Sequence, residues 1–476
     1  MSKVLLIQPS LTTKELFSRG SETSASIIPP LGIAYIAAYL IKHGHECYII
    51  DGVAQPLSFE DTISIAKNYD IIGITIVSTY ALRAVEIVRA FRQAEISQPI
   101  IVGGPHVTAL PDSMLLRGAD VAVIGEGELT MLELIEKFGS GDKDLEQVSG
   151  IAFRKDGKLI ITLRRPAIDP LDQVPLPARH LLPMPLYKSS IARSFEQPSH
   201  SMLTSRGCPG VCTFCSKKTF GSKIRYFSVE RIVEEFFLLR DKYGARDVAV
   251  WDDNFVGDHD VVIAVCEELQ NRGFDLTWSV EARIDTMSRP VLKALKRAGC
   301  NYIAYGIESG SQRILDHMHK NIQKNLMREV VKMTKEEGIP IRGYFMLGMP
   351  TETVKEMKET IVFAKELDVE LASFTLFSPL PATSDYRRAL KSGTFPDPEY
   401  FYNKIVPEFN FLDEPLYIPE GITAKKLLSI HRKAYNEYYF RPKILMRKLF
   451  SIRSFSQLGD TFNGGLTLIK NSLSKS

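Results

Sequence analysis

The strongest constraint on how this chain folds is a rhythm that occurs twice: short β-branched runs alternating with amphipathic stretches. In residues 1–140 the runs are Val4–Gln8, Glu46–Asp51, Asp70–Val77, Pro99–Gly103 and Asp120–Ile124, with segments of helical period between them. This predicts a Rossmann-like, doubly wound parallel α/β sheet. Ligands on such sheets bind beyond the carboxyl ends of the strands. The rhythm resumes over residues 196–390 with His200–Ser205, Asp247–Trp251, Leu276–Val280, Tyr302–Gly306, Ile341–Leu347 and Leu371–Phe377. Six such units predict a partial (β/α)6 barrel of TIM type, whose active site sits at the C-terminal strand ends.

Residues 141–195 read as a connector. A hairpin turns at Asp156-Gly157, the strongest short-range hairpin signal, and seven prolines follow between Pro166 and Pro198. Proline removes backbone donors and fixes φ, so this part is a strap. Residues 391–476 lose the rhythm and read as mainly helical. They hold an aromatic and proline-rich stretch, Phe395–Tyr417, and a helical stretch, Thr423–Tyr439. A basic segment follows, in which Arg441, Lys443, Arg447, Lys448 and Arg453 alternate with Ile444, Leu445, Leu449 and Phe450. Such a segment either lies on a membrane surface as a peripheral contact or is plain structure, packed back on the barrel or left as solvated charge. The aromatic stretch suits a lid over an apolar or planar substrate.

A length of 476 residues allows two or three domains. Apolar content of 45% and charged content of 24% are those of a soluble globular protein. A net charge of +3 makes no case for nucleic acid. Six cysteines, three of them clustered, argue for a reducing compartment. Met1-Ser-Lys runs straight into Val4-Leu-Leu-Ile without a signal-peptide pattern. The apolar run Leu31–Ile41 is too short to span a bilayer. The expectation is a cytoplasmic enzyme.

The chemistry is concentrated in Thr204-Ser-Arg-Gly-Cys-Pro-Gly-Val-Cys-Thr-Phe-Cys, where Cys208, Cys212 and Cys215 stand in C-x3-C-x2-C spacing. Thiolates select zinc, Cu(I) or iron–sulfur clusters. A structural zinc site would close with four ligands, and no fourth is at hand. Cys47, Cys266 and Cys300 lie far away near apolar runs, and Cys266 and Cys300 read as small core residues. A four-iron cube held by three thiolates keeps one iron open to a ligand that is not protein.

With Phe214 before the last cysteine, this loop resembles the signature of the radical S-adenosylmethionine (SAM) enzymes. The resemblance implies that Cys208, Cys212 and Cys215 hold a [4Fe–4S] cluster whose fourth iron is chelated by SAM. One-electron reduction then gives a 5′-deoxyadenosyl radical. It implies further that Asp252, Asp253 and Asn254 occupy the place of the motif contacting the SAM amino group. Glu308 and Ser309 match the ribose side, Glu281 and Arg283 line the cavity near the carboxylate, and Gly348 lies under the adenine. SAM has an ammonium, a carboxylate, hydroxyls and a sulfonium, so acceptors and donors at strand ends suit it. Thr351 stands where the family usually has glycine.

In the first half, Pro30-Leu-Gly32, His43-Gly-His45, Gly103-Gly-Pro-His106 and Gly125-Glu-Gly-Glu128 resemble the cobalamin-binding domain of one radical-SAM branch. The candidate cobalamin contacts are Ser78, Thr79, Gly103, Gly104, His106, Gly125 and Glu126, with glycine allowing close backbone approach. His43 and His45 read as ordinary surface histidines. The D-x-H-x-x-G motif of B12 domains is absent, which implies a cobalt without a histidine lower ligand. The expectation is therefore a cobalamin-dependent radical SAM enzyme that methylates an unactivated carbon of a small-molecule substrate. It would be served by an external one-electron donor such as a flavodoxin or ferredoxin. The alternatives are a non-methylating enzyme like the anaerobic porphyrin cyclase, and a non-catalytic, metal-stabilised binding protein.

Overall fold

The computed structural model describes residues 1–11, 15, 26–142, 144–189, 196–395, 399–403 and 415–451, apart from the side chains of 445 and 448–451. The expected contributions of Leu445, Lys448, Leu449, Phe450 and Arg453, and most of the loop after the first strand, lie outside the described residues.

The first body is a seven-stranded sheet of β1 (Lys3–Gln8), β2 (Glu46–Asp51), β3 (Ile71–Thr75), β4 (Ile100–Gly103), β5 (Val121–Val123), β6 (Ile151–Lys155) and β7 (Lys158–Ile161), in the order 2-1-3-4-5-6-7. The first five strands run parallel, and β6 and β7 are antiparallel. A strand covered on both faces needs apolar residues at successive positions. Leu5 and Ile7 accordingly pack with Val85, Val88 and Phe91 on one face. Val4 and Leu6 pack with Ile33, Ala34 and Ala37 of α1 (Leu31–Lys42) on the other.

The hairpin expected in the connector turns at Asp156 (φ +51°) and Gly157 (φ +75°), the paired positive values of a type I′ turn. It does not stand apart: Val121–Val123 pairs with Ile151–Phe153, so the sheet continues into it.

The second body is an open half-barrel of β8 (Ser199–Met202), β11 (Asp247–Val250), β12 (Thr277–Arg283), β13 (Cys300–Glu308), β14 (Ile341–Leu347) and β15 (Leu371–Leu376), all parallel in the order 8-11-12-13-14-15. A two-stranded ladder of β9 (Ser205–Arg206) and β10 (Arg225–Tyr226) stands beside it. The barrel's outer core is filled by Trp278, Ile303, Tyr305, Phe345 and Phe374 among others. Cys266 and Cys300 are buried in that core, as expected.

An open barrel leaves β15 with unpaired backbone groups, which in a bare edge strand invite aggregation. Helix α2 (Ala424–Tyr439) answers with side chains where a seventh strand would lie. The Tyr439 hydroxyl accepts from the Ala372 amide at 3.0 Å and donates to the Ala372 carbonyl at 2.8 Å. Tyr435 does the same at Phe374, at 3.3 and 3.1 Å. His431 reaches the Phe374 carbonyl at 2.9 Å, and Tyr438 donates to that of Val369.

Arg441, just before α3 (Pro442–Ser451), and Lys443 and Arg447 within it converge on Asp368 at 3.2, 2.6 and 3.0 Å. Of the two expectations for the basic segment, its described charges follow the second and turn back on the barrel. No helix among the described residues is long and apolar enough to cross a membrane. The aromatic stretch does not stop at the barrel. Phe395, Phe401, Tyr402, Leu416 and Tyr417 join a buried cluster with Ile76, Val107 and Met114 of the sheet and Met349, Phe377 and Tyr386 of the barrel.

Candidate active site

The cysteines lie in the loop closed by the β9–β10 ladder. Its entrance is Gly207, at φ +98°, where a Cβ would stand 2.4 Å from the Lys223 carbonyl oxygen, so only glycine fits. Midway, Thr213 ties the loop to the barrel three times. Its amide donates to the Met318 carbonyl at 2.9 Å, its hydroxyl to the buried Asp385 carboxylate at 2.6 Å, and its carbonyl accepts the Asp385 amide at 3.1 Å.

Cys208 and Cys212 are half-buried and Cys215 is exposed. Even so, the loop's packing around the Cys215 sulfur, then Asp253, Cys212 and Cys208, push that thiol up to about 12. Cys212 and Cys208 thus both lie close enough to the Cys215 sulfur to disfavour its thiolate. Among the described residues no three His, Cys, Asp or Glu side chains already stand at metal-holding distances. The donor set itself, three thiols on one glycine-gated loop, fits an iron–sulfur cluster.

Beside the thiols runs a connected polar chain. One guanidinium nitrogen of Arg283, at the end of β12, is 3.5 Å from the Cys212 sulfur, and the other donates to Asp285 at 2.8 Å and to the Lys320 carbonyl at 3.1 Å. The buried Lys320 ammonium donates to Glu308 at 2.9 Å and lies 6.0 Å from the Phe214 ring centre. Glu308 ends β13 at φ +67°, a left-handed conformation that a non-glycine residue holds only under constraint. Glu281 is half-buried and accepts from the Tyr344 hydroxyl at 2.9 Å.

Other residues expected at this site are occupied elsewhere. The Asp252 carboxylate accepts the Thr204 amide and hydroxyl at 2.7 and 2.5 Å and the Ser205 hydroxyl at 2.7 Å. Burial raises it to about 6 against those bonds. It organises the entry to the cysteine loop. Asn254 is buried, its side-chain oxygen accepting the Arg283 amide at 3.0 Å, while its amide nitrogen has no hydrogen-bond partner. The Ser309 hydroxyl lies 3.2 Å from that of Thr360, inside the protein. Gly348 packs against Leu427 and donates its amide to Glu352 at 2.6 Å.

Between the bodies lies a cleft of about 400 Å3. One wall is the C-terminal edge of the sheet, with Gly103, Gly104, Gly125 and Glu126. Gly104 is at φ +96°, and a Cβ there would meet the Ile76 carbonyl at 2.8 Å, so it keeps this wall flat. The facing wall includes Ser216, Lys217, Thr219 and Phe220, the continuation of the chain after Cys215, together with Asp253.

Ser78, Thr79 and His106 are not among the lining residues. His106 is a correction to the expectation of a cleft contact. Its ring is buried, with Nδ1 2.9 Å from the Ser78 hydroxyl and Nε2 2.7 Å from that of Tyr402. Burial lowers it to about 4, so it is a neutral core group. None of the described residues lining the cleft is a histidine.

Sequence reasoning missed Lys320, Arg206 and Tyr344. Arg206 stands two residues before Cys208, a signal that was available, whereas Lys320 sits in a loop with no motif of its own.

A family model for the B12 binding domain matches residues 21–135, and one for the radical SAM superfamily matches residues 202–364. An uncharacterised methyltransferase of Pyrococcus horikoshii is 33% identical over 462 residues, 95% of this chain and 96% of that protein. The cytidylyl-2-hydroxyethylphosphonate methyltransferase of Streptomyces wedmorensis is 30% identical over 83% of each chain. Among solved structures, the cobalamin-dependent SAM radical enzyme OxsB with aqua-cobalamin and SAM bound superposes with a TM-score of 0.75. At 17% identity, over 99% of this chain and 72% of that one, this likeness shows a shared fold.

Proposed function

The chain belongs to the cobalamin-binding radical SAM enzymes, and we propose that it transfers a methyl group to an unactivated carbon of a small-molecule substrate. The cleft carries this reading, because glycine-rich sheet ends form one wall and the continuation of the cysteine loop forms the other. When bound, the cluster and cobalamin supply reductive cleavage of SAM and the methyl group, and the protein supplies binding and orientation.

In this reading Cys208, Cys212 and Cys215 hold three irons. Arg283 places a positive charge beside the Cys212 sulfur. Glu308, matched to the ribose side, and Lys320 beside it offer an acceptor and a donor to SAM. Gly103, Gly104 and Gly125 let a flat macrocycle approach the backbone, while Tyr35, Phe220 and Leu203 line the same space and exclude water. The reading includes a flavodoxin- or ferredoxin-type electron donor and a cytoplasmic setting.

The test is anaerobic reconstitution of the full chain with iron, sulfide and cobalamin, followed by SAM and a strong reductant. Both 5′-deoxyadenosine and S-adenosylhomocysteine are expected, and Cys215→Ala is expected to abolish the former. Release of 5′-deoxyadenosine alone moves the reading to a non-methylating cyclase. A chain that takes zinc and no iron ends it.

A further inference from the structure

The stem of the cysteine loop carries a like-charge pair that its own strands cannot neutralise. The register of β9 and β10 sets Arg206 directly opposite Arg225, an unfavourable arrangement for facing side chains. Both are buried, with side chains 2% and 3% exposed. Their counter-charges come from the other body, in the loop after β5. Glu126 accepts from Arg206 at 2.8 Å and from Arg225 at 3.0 Å, and Glu128 accepts from Arg206 at 2.6 Å. Glu126 also accepts the Ile168 amide of the strap at 2.8 Å. Two positive charges therefore meet two negative ones with little side-chain exposure, and Glu126, Glu128 and Arg206 all line the cleft as well.

Removing one member of a buried ion set strands its partner's charge, which costs far more than the intact set contributes. The stem of the cysteine loop is therefore stable in this geometry only with the Gly125–Glu128 loop seated, and the reverse holds too. We propose that Glu126 is a positioning residue that couples the cleft to the cysteine loop, so that corrinoid in the one and cluster on the other each tighten the binding of the other. This rests on the functional reading above and adds that the two cofactor sites form one thermodynamic unit. Such coupling is reciprocal and typically amounts to about 5–150-fold.

The experiment is an anaerobic titration of hydroxocobalamin into the full chain, with and without reconstituted cluster, followed by corrinoid absorbance. Wild type is expected to bind about 10-fold more tightly when iron-loaded. In Glu126→Gln, which leaves Arg225 without its counter-charge, that ratio is expected to fall to about one. A role in packing alone would lower both affinities and keep the ratio. Should the single variant not fold, Glu126→Gln combined with Arg225→Gln strands no charge and gives the same readout. Equal wild-type affinity in both iron states, or an undiminished ratio in the variants, overturns the proposal. A wild type that binds no corrinoid in either state brings down the functional reading and the proposal with it.

Discussion

At Thr351 the backbone stands at φ +65°, where a β-branched residue costs about 1–2 kcal/mol. This is the position at which the family usually has glycine. Arg313 secures it, donating to the Thr351 carbonyl at 2.7 Å and hydroxyl at 3.1 Å. Glycine would relieve the strain but loosen the unfolded chain by about 0.4–1 kcal/mol. Thr351→Gly is therefore expected to change stability by less than about 1 kcal/mol, in the stabilising direction, on chemical denaturation. One residue on, burial raises the Glu352 carboxyl to about 8, although it accepts the Gly348 and Met349 amides. A folded value above the unfolded one means that its stabilising contribution is complete below about pH 4.5 and is lost as pH rises through about 8. The wild-type melting temperature is thus expected to fall between pH 6 and 9 more steeply than that of Glu352→Gln, and parallel curves would refute this.

At the scale of elements, the hydroxyls of α2 stand in for a strand. Removing a partner from a buried backbone group costs about 1–3 kcal/mol. Replacing Tyr435 and Tyr439 together by Phe strips the partners from both backbone groups of Ala372 and from the Phe374 amide, while the Phe374 carbonyl keeps His431. The expected loss is about 2–4 kcal/mol in denaturant titration, with aggregation on heating as the edge opens. Most strands were legible in the sequence because β-branched runs between amphipathic stretches have few other uses. The cysteine loop stood out in the sequence because three thiols at such spacing have few uses other than ligation. The partner of the β6–β7 hairpin was not, since a turn signal at Asp156-Gly157 fixes the hairpin and says nothing of the neighbouring strand. The side chains of Asp252 and Ser309 turn to Thr204 and Thr360, partners that sequence separation hides.

At the scale of the molecule, the two bodies share one buried seam, built partly from the aromatic stretch read from sequence as a lid. His106 shows a partner that the sequence hid, because the hydroxyl at its ring belongs to Tyr402, 296 residues away. Phe401 is fully buried in the same seam, against His106, Tyr386 and Phe395. Phe401→Ala is expected to cost about 3–5 kcal/mol and to speed proteolytic cleavage of the connector, and an unchanged digestion pattern would count against a shared seam. The same separation matters on the ribosome. At roughly 5–20 residues per second, the nascent sheet around Ile76 and Val107 waits some 15–60 s for its cover to be translated. The first half of this enzyme is thus born with an apolar flank bare until the last fifth of the chain has been made.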